Sequence, residues 1–114
     1  MPEVSINYKK NKSANGVYIS ANNQLLIYVN NHDSLLNLTN TIIHEYVHSR
    51  QRYELKQKNK DPFLKLYSKF NSERGYEKNP FEFEARNIAK KFERKCMEDI
   101  LKQNPQIILV RKDL

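Results

Sequence analysis

His44 and His48 stand four residues apart, so on a helix their imidazoles share one face and can offer two ring nitrogens to a single metal ion. Glu45 follows His44 directly and can reach a water held on that ion. Two nitrogen ligands with a carboxylate beside them suit metal-assisted hydrolysis, in which the ion acidifies the water and the carboxylate takes its proton. The bland alternative is two ordinary histidines on an apolar helix. Against it stand Glu45 itself and a second acidic segment, Asn79-Pro80-Phe81-Glu82-Phe83-Glu84-Ala85.

The elements that must position these residues can be read around them. Val4 to Tyr8 alternates apolar and polar residues and predicts a first strand. Val17 to Ile19 and Leu25 to Val29 are rich in β-branched and aromatic residues, with Ser20 to Gln24 between them, and predict an antiparallel hairpin. Asp33 or Ser34 can cap a helix running from Leu35 to about Gln57, whose apolar stripe includes Leu35, Leu38, Ile42, Tyr46 and Tyr53. Asp61 and Pro62 read as a cap and first helical residue before a short helix through Phe70, followed by a loop over residues 71–79. Pro80 opens a last long helix with a stripe of Phe81, Ala85, Ile88, Ala89, Phe92, Cys96, Met97 and Ile100, which Asn104-Pro105 stops. Ile107 to Val110 reads as a terminal strand or a packed tail. The expected architecture is α+β: one domain over residues 1–114, with a small antiparallel sheet on a central motif helix and two further helices.

The chain has 114 residues, 39% hydrophobic and 29% charged, which fits one globular domain with a modest core. It contains no apolar run long enough to span a bilayer, and Met1 to Ser5 lacks the layout of a signal peptide. With Cys96 as the single cysteine, no intrachain disulfide can form, which fits a reducing cytoplasm; a monomer is expected. The net charge of +7 could draw in nucleic acid. The basic residues are scattered, however, and on helices such runs are usually solvated faces, so a weak contact is all they imply.

A catalytic zinc needs a third protein ligand. Metzincins place a glycine and another histidine after the motif, where this chain has Gln51 and Glu54. Spartan-type proteases use a downstream histidine, whereas His32 lies upstream. The motif followed by the segment 79–85 resembles gluzincin-type zinc metallopeptidases, small compact forms included, over residues 41–51 and 79–89. That resemblance implies Zn2+ held by His44, His48 and Glu82, with Glu45 as the catalytic carboxylate and a zincin-like minimal fold. Glu84 remains the alternative third ligand, although two residues on one helix point about 200° apart. Arg86 departs from the pattern, because related families carry an aspartate there that supports the ligands; Glu84 or Asp61 could replace it.

The resemblance implies a peptidase acting on a peptide or protein substrate. Tyr76, near Glu82 in sequence, is the leading candidate donor to the oxyanion, with Tyr46, Tyr53 and His32 behind it. Substrate would lie along the exposed edge of the Gln24–Asn30 strand. Two rival functions are a DNA-associated protease or nucleic-acid-binding module, and a non-catalytic zinc-stabilised interaction domain.

Overall fold

Strand β1 (Glu3–Asn7) and strand β3 (Gln24–Tyr28) differ in how much water they tolerate. Glu3, Ser5 and Asn7 keep β1 half polar, whereas Leu25, Leu26 and Ile27 make β3 apolar on both faces. The sheet places β3 in the middle, flanked by β1 on one side and β2 (Gly16–Ile19) on the other. The computed structural model describes residues 2–7, 15–28, 31–56 and 61–103. Helix α1 spans Leu35–Leu55, α2 Phe63–Arg74 and α3 Pro80–Gln103. The class is α+β, as the sequence implies.

Two expectations about the sheet are corrected. β2 and β3 pair antiparallel, with Val17 opposite Leu26, but β1 runs parallel to β3, with Val4 opposite Leu25 and Ile6 opposite Ile27. The sheet is therefore mixed. The strand with two apolar faces takes the position with two paired edges, and the polar strand takes an outer edge. β3 consequently has no free edge to offer a substrate. Tyr8, Val29, Asn30 and the 107–110 segment lie outside the described residues.

Between β2 and β3 the chain makes one 3-10 turn, Ser20–Asn22, and Asn23 adopts a left-handed conformation at φ 49°. Asparagine tolerates that region through local side-chain hydrogen bonds. Here its Oδ1 accepts from the Tyr18 hydroxyl at 2.9 Å and from the Ser49 hydroxyl of α1 at 3.0 Å, which pins the hairpin to the helix.

Ser34 caps α1 as expected, its side chain accepting from the Asn37 amide at 3.1 Å. Asp61 does not cap α2; its carboxylate accepts from Arg52 Nε at 2.6 Å, and Pro62 precedes the helix without a side-chain cap. α2 also continues four residues past Phe70, to Gly75 at φ 80°.

Among the described residues, Leu25, Ile27, Val47, Phe63, Ala85 and Ala89 are the buried apolar ones. α1 packs across β2 and β3 on one side and against α3 on the other. The buried face of α3 is Glu82, Ala85, Ala89 and Glu93, so alanines bring the two helices close and carboxylates mark both ends. Glu93 is held by Asn40 of α1 at 2.7 Å and Lys90 at 3.0 Å. Phe92 and Tyr53, expected in apolar stripes, are largely exposed. Among the described residues no helix is long and apolar enough to cross a membrane.

Candidate metal centre

The middle of α1 and the first turn of α3 meet at three donor atoms. His44 Nε2 and His48 Nε2 each stand 2.8 Å from the same carboxylate oxygen, Glu82 Oε1. The imidazoles are nearly perpendicular, at 79° with centroids 5.1 Å apart. Helical spacing four residues apart produces this pair, and α3 delivers the carboxylate across 33 intervening residues, 49–81. The ligand atoms of His44, Glu45 and His48 lie within 4.8 Å of one another.

The start of α3 is fixed by a dense set of contacts. Asn79 is fully buried; its Oδ1 accepts from the Phe81 amide at 3.0 Å, while its Nδ2 donates to Asn71 Oδ1 at 2.8 Å and to the Tyr67 carbonyl at 3.2 Å. It caps the helix and ties it to the end of α2, and Pro80 follows at the position where a missing N–H costs nothing. The Phe81 ring sits among Phe63, Tyr67 and Phe70, stacked on Tyr67 at 7°. The Tyr67 hydroxyl donates to Glu82 Oε2, which turns the other oxygen, Oε1, toward the histidines.

Glu84 is placed elsewhere. Its Oε1 accepts from Gln51 Nε2 at 3.0 Å, and Gln51 in turn contacts His48. Of the two candidate carboxylates, Glu82 alone reaches the imidazoles. Asp61 is engaged with Arg52, and Arg86 donates to the Glu77 carbonyl at 2.5 Å.

Glu45 lies under the edge strand. The Tyr18 backbone N–H hydrogen-bonds its carboxylate. Gly16 makes this approach possible, since a Cβ there would meet Thr41 Cγ2 at 2.7 Å and Glu45 Cγ at 3.3 Å. Burial raises the Glu45 carboxyl pKa above its ordinary value, and the two imidazoles only partly offset it. For Glu82 burial pushes the same way, but hydrogen bonds from His44 and His48 outweigh it and hold the carboxyl far below the usual range. Burial alone would lower His48; its contact with Glu82 and that group's charge raise it instead.

A cavity of about 540 Å³ opens over these groups. β2 and its approach (Asn15 to Tyr18) form one wall, and Phe63, Leu64 and Tyr67 of α2 form the opposite one. Tyr76 also lines it; burial and the neighbouring Glu82 charge push its hydroxyl up to about 12. Tyr46 and Tyr53 are exposed elsewhere on α1 and do not line the cavity. His32 is buried beside Thr41 Oγ1 at 2.7 Å, behind the cavity wall.

The donor set fits zinc in type: two neutral-capable imidazoles and one carboxylate. His44 Nε2, His48 Nε2 and Glu82 Oε1 would hold the ion, and the histidine nitrogens already stand 2.8 Å from that oxygen. Sequence reasoning missed Tyr67, Gln51 and the capping role of Asn79. The available signals were a glutamine three residues after His48, on the same helical face, and the Asn-Pro pair that opens α3.

The chain matches no family model, no curated protein and no solved structure.

Proposed function

We propose that this protein is a zinc-dependent peptidase whose metal is held by His44, His48 and Glu82. The observation that carries the reading is the convergence of three donor atoms from two helices, each imidazole Nε2 2.8 Å from Glu82 Oε1, in the lining of an open cavity. When bound, zinc supplies a Lewis acid and a water acidified towards neutrality.

Glu45, beside the two imidazoles, would take up a proton from a water attacking the peptide carbonyl and return it to the departing amine. Its raised pKa suits both steps, because a carboxyl that readily takes a proton can hold it until the C–N bond breaks. Glu82 stays ionised and is turned by Tyr67. Tyr76 reaches the cavity from the loop before α3, and its hydroxyl, kept protonated, is the proposed donor to the oxyanion. The substrate is an extended peptide lying in the cavity between β2 and α2. Single Cys96 agrees with action in a reducing compartment.

The nucleic-acid reading finds little support at this site, because no lysine or arginine is among the described residues lining the cavity. A non-catalytic zinc domain would share the ligands but have no need of Glu45. The decisive test is Glu45→Gln, with zinc content measured by atomic absorption and turnover by fluorogenic peptide libraries. The variant should retain about one zinc per chain and lose ~10²-fold or more in rate. Unchanged cleavage would exclude Glu45 as the base, and a wild-type chain binding no zinc would end the reading altogether.

A further inference from the structure

Gln51 is buried on α1, three residues beyond His48, and makes three hydrogen bonds with its one amide. Its Nε2 donates to the Phe81 main-chain carbonyl at 2.9 Å and to Glu84 Oε1 at 3.0 Å. Its Oε1 faces His48 Nδ1 at 2.8 Å. The direction of this amide follows from its partners. A peptide carbonyl can only accept, and a carboxylate at neutral pH can only accept, so both must face the NH2 end. A flipped amide would set an oxygen against two oxygens. The Gln51 oxygen is therefore turned to His48, and Nδ1 must be the nitrogen that carries a hydrogen.

The consequence lies on the other side of the ring. In a neutral imidazole one nitrogen donates and the other has a lone pair. In this geometry Nε2 donates to Glu82 Oε1; with Nδ1–H committed to Gln51, Nε2 is the nitrogen that gives up its hydrogen when the ring is neutral and then offers its lone pair at the meeting point with His44 and Glu82. We propose that Gln51 is a positioning residue for the metal centre: it selects the His48 tautomer that can ligate, and Phe81 and Glu84 hold it in that orientation.

Three features strengthen the assignment. The glutamine bridges α1 to the first turn of α3, so the same side chain that sets the ring also sets the spacing between His48 and Glu82. It gives Glu84 a defined task one bond further out, in the chain Glu84–Gln51–His48. Last, an amide is neutral. It orients the imidazole without placing a formal negative charge directly on it, which leaves Glu82 as the one anionic donor among the three ligands.

This inference rests on the metal centre proposed above, and its test separates the two. Zinc affinity is measured by competition with a chromophoric chelator for wild type, His44→Ala and Gln51→Leu, with thermal melting of each metal-free protein. In parallel, long-range 1H–15N correlation spectra of the zinc-loaded wild type report which His48 nitrogen bears the hydrogen. Wild type should bind zinc and His44→Ala should lose it, whatever Gln51 does. Gln51→Leu should weaken zinc about 10–100-fold. The His48 signals should show a protonated Nδ1 and a metal-bound Nε2. A Gln51→Leu protein that melts lower yet binds zinc as wild type does would make Gln51 a mere bridge between helices and overturn the proposal. A loaded wild type with His48 ligated through Nδ1 would overturn it without any variant. Absence of zinc from wild type would instead refute the centre itself.

Discussion

Glu82→Gln against Glu84→Gln is the sharpest perturbation the structure offers, because the two residues share a helical turn and a side-chain type. Glu82 Oε1 contacts both imidazoles and its Oε2 accepts from Tyr67, whereas Glu84 accepts from Gln51. Glutamine keeps the volume and one carbonyl oxygen but removes the charge. Structural zinc sites with four ligands bind with ~10–16 kcal/mol, or roughly 2.5–4 kcal/mol for each ligand. Losing the one anionic ligand among three should therefore weaken zinc by about 10²–10³-fold. Glu84→Gln retains an oxygen able to accept from Gln51, so its affinity should stay within about 10-fold, the lower edge of what an outer partner controls. Chelator competition at neutral pH reads both constants, and far-ultraviolet circular dichroism confirms that each variant is folded. Equal affinities for the two variants, or the larger loss in Glu84→Gln, would refute the placement of the third ligand.

Two further outcomes follow from the same geometry. Gly16→Ala drives a methyl to 2.7 Å from Thr41 Cγ2 and 3.3 Å from Glu45 Cγ, so it should cost about 1–3 kcal/mol of stability and reduce turnover while leaving the zinc constant nearly unchanged; wild-type denaturation and turnover would contradict the close approach of β2. The metal-free protein should be most stable in mildly acidic solution. His48 is raised above 6.5, so its contribution is complete below that pH and fades as pH rises through the folded value. Glu82 is depressed below 4.5, so its contribution is complete above that pH and is lost as pH falls. Glu45, raised by burial, adds a growing penalty above 4.5. Zinc reverses the slope because the imidazoles must shed protons to ligate. Melting curves from pH 4 to 8, with chelator and with zinc, read both slopes; metal-free stability that rises from pH 6 to 8 would contradict the assignment.

The parts of this molecule that depend on short-range spacing were legible in the sequence. His44 and His48 share a face because any helix puts them there, Ser34 caps because a hydroxyl precedes an apolar repeat, and Glu82 opens α3 just after Pro80. Long-range pairing was not legible. β1 and β3 could pair in either direction on their alternation alone, and the choice depends on which strand needs two covered edges. The inner face of α3 was legible in part. Ala85 and Ala89 stand in the expected stripe and are buried, whereas the buried Glu93 carries no apolar signal and Phe92, in the same stripe, is exposed. Gln51 and Tyr67 escaped because their roles arise only when α1, α2 and α3 are brought together.

α2 buries one apolar residue, Phe63, and would pass for filler between two motifs. Yet Tyr67 grips Glu82, and Asn71 together with the Tyr67 carbonyl grips Asn79. The stretch from Tyr67 to Glu82 is thus a template and not a tether. Inserting or deleting even one residue between Tyr67 and Asn79 would rotate the carboxylate off its target while leaving every metal-binding residue in the chain.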